Sequence, residues 1–98
     1  MSADGALGVP FDIAEYALLT HLMALETGLD VGEIIFSFGD IHLYNNQFDA
    51  IKLQLERDIR EMPQLEVKNF KSIFELKADD IQVVNYDPHP FIPIQVAV

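Results

Sequence analysis

The stretch Leu7-Gly8-Val9-Pro10-Phe11-Asp12-Ile13-Ala14-Glu15-Tyr16-Ala17-Leu18-Leu19-Thr20-His21 decides the fold. Gly5 to Phe11, punctuated by Gly8 and Pro10, reads as an extended lead-in. Asp12-Ile13-Ala14-Glu15 then has the Asp-x-x-Glu form of a capping box, an acceptor for free amides with an acid three residues on. The predicted helix runs to about Thr27 and carries Ile13, Ala14, Tyr16, Ala17, Leu18, Leu19, Leu22, Met23, Ala24 and Leu25. These cover nearly its whole circumference, and a helix apolar on every side belongs in a core. Gly28 is placed to stop it in the left-handed conformation.

Outward from that helix, Val31 to Phe38 reads as a strand, with Ile34, Phe36 and Phe38 on one face. Gly39-Asp40 breaks it, and Ile41 to Tyr44 resumes in extended form, setting Ile41 and Leu43 opposite His42 and Tyr44. Asn45 or Asn46 can cap a second helix to about Arg57, amphipathic through Phe48, Ile51 and Leu55. Gln64 to Lys68 is a short strand after Pro63. Ala78-Asp79-Asp80 suggests a single helical turn before a strand from Ile81 to Asn85. The tail from Tyr86 has three prolines and is expected to be irregular, placed by packing.

With 98 residues, the chain has room for a single domain, 1–98. Its 50% hydrophobic content excludes a disordered chain, and no apolar run nears the ~20 residues of a membrane span. Nothing in Met1–Pro10 has the form of a secretory signal, so a cytoplasmic location is expected. Residues 1–50 hold eight acids and no Lys or Arg, whereas all six bases fall in 51–98. That distribution leaves no basic patch for nucleic acid or an anionic membrane. It suits solubility, and it means that an anionic ligand must take its cations from another chain. There is no cysteine, hence no disulfide, thiolate nucleophile or cysteine metal site. Asp4, Asp40 and His42 have no spacing that fixes a metal geometry. Gly5-x-x-Gly8 lacks the ending of a phosphate loop.

Four segments together resemble the thymidylate synthase family. They are Leu7 to His21, Gly39-Asp40-Ile41-His42-Leu43-Tyr44 (the family's G-D-x-H-x-Y), Asn85-Tyr86-Asp87-Pro88-His89-Pro90, and Val96-Ala97-Val98. They occur in family order over essentially all 98 residues, and resemble the last third of a typical member. The resemblance implies an α/β (α+β) fold: part of a mixed β-sheet packed on the long buried helix and a second, amphipathic helix. The implied parent activity is methylation of deoxyuridylate with methylenetetrahydrofolate as cosubstrate, through a cysteine nucleophile, in a homodimer. In the family's R-S-x-D motif, Arg and Ser bind the nucleotide phosphate and Asp meets the pterin. Ser2 and Asp4 match, whereas Met1 stands in place of Arg. By the same resemblance His42 and Tyr44 bond the deoxyribose 3'-hydroxyl. Leu7, Gly8 and Phe11 line the folate site, and the Val98 carboxylate closes over bound ligands.

The departures are as informative as the matches. The family's nucleophile and its phosphate-binding arginines lie upstream of anything in this chain. Asp12 stands where the family usually has Asn. An amide can donate to uracil O4 and accept from N3–H, whereas an ionised carboxylate can only accept. Cytosine offers an N4 amino donor there, and the related deoxycytidylate hydroxymethylases are similar in having Asp. Asp12 therefore has two compatible readings, helix cap and pyrimidine selector. His42 and Tyr44 share one strand face and are either a ligand-facing pair or two satisfied polar residues beside the core. His21 reads as a hydrogen-bonded core histidine, and His89 as a loop residue.

Three functions follow as expectations: a thymidylate synthase-like fragment inactive alone, a non-catalytic binding or assembly module, or one chain of a two-chain enzyme completed by a separate N-terminal chain bearing the cysteine and arginines. Each leaves apolar surface that calls for a homodimer or a complementing chain, with a pyrimidine deoxynucleotide as the small ligand and no metal.

Overall fold

The start of the long helix is set by Asp4, eight residues before the expected cap. In a computed structural model, which describes residues 2–96, Asp4 Oδ1 accepts the amides of Ala6 (3.0 Å) and Leu7 (3.1 Å). This side-chain turn leads directly into α1, Gly8–Thr27. Pro10 is no obstacle, because the first amides of a helix have no partner inside it. Gly5 to Phe11 is therefore not an extended lead-in, and Asp12 is an exposed residue of the second turn rather than a cap. The other end is as expected. Gly28 has φ +71°, and Leu29 N–H reaches back to Ala24 O at 3.1 Å, the six-to-one bond of a glycine-terminated helix.

Helices and strands mix as expected of an α/β chain, with the sheet present as two separate ribbons. β1 (Ala3–Asp4) pairs in parallel with β2 (Ile41–His42), setting Ala3 opposite Ile41 and Asp4 opposite His42. The bonds Ala3 N–H to Asp40 O and Gly5 N–H to His42 O, both 2.8 Å, extend this short ladder. A 3-10 turn over Asn45–Gln47 then opens α2, Phe48–Leu55, whose Asp49 lies favourably in the first turn. β3 (Gln64–Val67) pairs antiparallel with β4 (Ile81–Val84), in the register Leu65 to Val83 and Val67 to Ile81. The single turn at Ala78–Asp80 precedes β4. Asn69 and Asn85, just past the two strands, take the left-handed conformation that asparagine tolerates.

The chain divides into two compact units. One comprises the residues up to Ala14, Ile35–Ile59 and those from His89 on; the other comprises Glu15–Ile34 and Arg60–Pro88. In the first, Val9 and Gln47 are buried; in the second, Leu22 is. Leu65 and Val67 of the second unit are half-buried and alternate with exposed Gln64 and Glu66, the pattern of a strand covered on one face.

The long helix and the segment after it also depart from expectation. α1 is not buried around its circumference: Phe11 is 75% exposed, and Ile13, Tyr16, Leu19, Met23 and Leu25 are all exposed. Cover on every side takes several packed layers, and within these residues α1 has it only at Val9 and Leu22. Residues 31–38 join no ladder among the described residues. Their alternation survives as same-face stacking of Phe36 on Phe38, centroids 6.2 Å apart at 12°.

The tail is irregular as expected through residue 96, and arginines hold it. In the first unit Arg57 Nη2 donates to Pro90 O at 2.8 Å, and His89 Nε2 lies 2.8 Å from Asp58 O. In the second, Arg60 Nη1 donates to Pro88 O (2.9 Å) and pairs with Asp87 at 3.3 Å. Prolines bring no N–H for a ladder, so carbonyls become the points of attachment.

Candidate functional site

The β1–β2 register places Asp4 and His42 side by side, because directly opposed residues share a face. Tyr44, two residues beyond His42, returns to that face, and the two rings meet edge to face with centroids 4.6 Å apart at 81°. The cluster thus arises from one two-residue ribbon and the turn that follows it, all within the first unit.

Gly5 makes the close approach possible. A Cβ there would lie 2.8 Å from Leu43 Cδ2 and 3.1 Å from His42 O, the acceptor of the Gly5 amide. A residue without a side chain lets β1 pass this close to β2 without displacing Leu43 or the His42 carbonyl.

The electrostatics favour an ionised carboxylate. The Leu7 amide is the main influence holding the Asp4 carboxyl below its ordinary value; partial burial opposes it. The Ala6 amide, the Gln47 side chain and the His42 imidazole act in the same direction as Leu7. Both backbone bonds fall on Oδ1, so the carboxylate retains acceptor capacity at Oδ2. His42 Nδ1 lies 3.8 Å from Asp40 Oδ1, while its Nε2 is buried with no hydrogen-bond partner. A buried ring nitrogen without a partner suits a ligand hydroxyl, as either donor or acceptor.

Of the residues singled out in the sequence, Asp4, His42 and Tyr44 come together. Leu7 and Gly8 are half-buried in the turn and first residue of α1, Leu7 giving its amide to Asp4. Ser2, Phe11 and Asp12 are exposed. Val98 and Met1 lie outside the described residues. The residue that sequence reasoning missed is Gln47, fully buried, with Oε1 accepting the Tyr44 amide at 3.3 Å. Its signal was positional: with Tyr44 ahead of the turn, Gln47 is the third turn residue, where a Gln side chain can reach back to the amide before it.

His21, expected in the core, is exposed and lines an open groove of about 430 Å³ in the second unit. Ala24, Leu25, Leu29, Leu65 and Val67 make that groove largely apolar. Among the described residues no three metal-ligating side chains gather, and no helix is long and apolar enough to cross a membrane.

A family model described as thymidylate synthase matches residues 1–98. A curated thymidylate synthase of Corynebacterium aurimucosum is 50% identical over 97 residues, which cover 99% of this chain and 36% of that protein. The solved structure of thermostable thymidylate synthase A from Bacillus subtilis superposes with a TM-score of 0.92 at 37% identity, over 99% of this chain and 35% of that one. The chain spans about a third of the length of these relatives, and, matched along its whole length, it belongs to the thymidylate synthase family.

Proposed function

We propose that these 98 residues furnish the sugar-facing and folate-facing third of a thymidylate synthase site, as one domain, in the cytoplasm. The parent reaction is the methylation of deoxyuridylate with methylenetetrahydrofolate. The observation that carries the reading is the grouping of Asp4, His42 and Tyr44 on one ribbon face, with the Asp4 carboxyl held ionised.

His42 and Tyr44 bond the deoxyribose 3'-hydroxyl, and their edge-to-face contact fixes both rings before the nucleotide arrives. Asp4 accepts from the amino and N–H groups of the pterin, a donor set that an ionised carboxylate fits. Leu7, Gly8 and Phe11 give the pterin its apolar surround, Ser2 meets the phosphate, and the Val98 carboxylate closes the site. The cysteine that attacks the pyrimidine and the arginines that neutralise the phosphate come from the complementary part of the fold. These residues contain no cysteine, and their first half contains no Lys or Arg. The exposed apolar residues of α1 are the surface that such a complement, or a second copy, covers.

A second reading concerns the base. Asp12 lies in the second turn of α1, so capping does not account for it. We propose that it selects the pyrimidine, as in a deoxycytidylate hydroxymethylase-like site. The carboxylate accepts from the cytosine N4 amino group, with one proton shared with N3.

Nucleotide titration with and without an N-terminal segment taken from a relative tests both readings. Binding and turnover are expected only in the complemented assembly; on the second reading deoxycytidylate binds more tightly than deoxyuridylate and Asp12→Asn reverses the order, whereas tighter deoxyuridylate binding leaves the first reading alone standing. Thymidylate formation by the 98 residues alone overturns the need for a complement. Equal, negligible binding of both nucleotides in the assembly overturns the site, and a monodisperse monomer at micromolar concentration overturns the docking role of α1.

A further inference from the structure

Arg57 and His89 are turned inward on segments that otherwise face water. Every other residue of 52–59 is exposed, Leu55 at 79% and Ile59 at 91% among them, whereas Arg57 is half-buried. His89 is likewise half-buried between exposed Pro88 and Pro90. Polar side chains covered while apolar neighbours stay in water reverse the usual order, and specific bonds explain it. The bonds are reciprocal: Arg57 Nη2 donates to Pro90 O at 2.8 Å, and His89 Nε2 lies 2.8 Å from Asp58 O. As one segment advances the other retreats, the register of an antiparallel pair. A carbonyl oxygen only accepts, so His89 Nε2 carries the hydrogen. Arg57 Nη1 also donates to Gln54 Oε1 at 3.2 Å, and the Arg57 amide to Gln54 O at 3.2 Å, which ties the planar guanidinium to the last turn of α2. Pro90 has no N–H, so side chains supply the donors that a ladder takes from the backbone.

We propose that Arg57 and His89 are positioning residues for the tail: their crossed bonds clip its start to the end of α2, and through α2 to the site. The 3-10 turn after Tyr44 opens directly into α2, and the two together span roughly 20 Å between Tyr44 and Arg57. The eight residues from Phe91 to Val98 can extend at most about 29 Å, enough to return along that length. A tail started from this fixed point reaches the cluster, whereas one freed from α2 has more volume to search. The role rests on the reading of the Val98 carboxylate as the group that closes the site. Neither Arg57 nor His89 touches a ligand in this scheme; both act through the tail.

Arg57→Leu and His89→Leu each remove a donor, and His89→Gln keeps one. In the 98-residue chain, both Leu variants are expected to lower the NMR order parameters of the Phe91 and Ile92 amides from about 0.8 to below about 0.6. His89→Gln should leave them near the parent values. In the complemented assembly, each Leu variant should reduce kcat/KM for methylenetetrahydrofolate about fivefold, the factor for one hydrogen bond of ~1 kcal/mol, with deoxyuridylate affinity unchanged. In a chain shortened by Val98 the same substitutions should cost nothing more, because the effect passes through the terminus. Order parameters unchanged in both Leu variants overturn the clip. An unchanged kcat/KM, or a full penalty in the shortened chain, overturns the positioning role. If a Leu variant does not fold, Arg57→Lys decides in its place: it keeps the charge but cannot bond Gln54 and Pro90 at once, so the order parameters should still fall. An assembly without turnover would sink the proposed function, while the order parameters of the chain alone still judge the clip.

Discussion

The two units of the chain are built on opposite principles. The first gathers a small polar cluster, Asp4, His42, Tyr44 and Gln47, through backbone register and side-chain hydrogen bonds, and buries Gln47 completely. The second is a hairpin and the later turns of α1, with Leu22 buried and an apolar groove left open beside His21. Directional bonds between near neighbours need little surrounding mass to form. Apolar burial needs cover on all sides, and its benefit scales with the area removed from water. These residues can therefore hold their polar cluster in shape while their apolar faces stay exposed.

The contrast between the two units depends most on Leu22. Leu22→Ala deletes the one buried side chain of the second unit and is expected to cost about 2–5 kcal/mol, enough to abolish protection of β3 and β4 amides in hydrogen exchange. Retained protection would mean that the hairpin stands on its own bonds, as the first unit does.

Gly5→Ala probes the polar unit. The new Cβ meets His42 O at 3.1 Å and Leu43 Cδ2 at 2.8 Å, so the His42 carbonyl must give way by a few tenths of an ångström and lengthen the 2.8 Å bond from the Gly5 amide. The expected cost is about 1–3 kcal/mol, read as loss of the ring-current shift between His42 and Tyr44. An unchanged shift would show that the cluster forms without the β1–β2 ladder.

The smallest effect is the pH dependence of Asp4. Its folded pKa lies below the ordinary 3.8, so its stabilisation is complete above that value and is lost as pH falls through the folded pKa. Denaturant midpoints should fall below about pH 4 more steeply in the parent than in Asp4→Asn, which keeps an acceptor oxygen but carries no charge. Equal slopes would place the acid sensitivity on other carboxylates.

Legibility followed the range of the interaction. Gly28 as a helix stop, the turn at Ala78–Asp80 and the strands on either side of residues 68–80 were readable because each depends on a few neighbours. The shared face of His42 and Tyr44 was readable from the period of a strand. The start of α1 was misread because two Asp residues could serve it. Asp12 has the better local pattern, yet Asp4 takes the role, its strand being paired with β2. The positional signal of Gln47 was weak because Asn45, Asn46 and Gln47 are three amides in a row, and only the fold buries one.

The sequence alone determined the helix and hairpin segments, the absence of a thiol and of cations in the first half, and the family, since each is written in residue order and type. The tertiary structure alone decided that Asp4 lies beside His42, that Gln47 is buried against the Tyr44 peptide, and that α1 is largely uncovered within these residues. Those facts depend on which distant segments meet. Register and burial are properties of pairs of segments, and a pattern along one segment does not contain them.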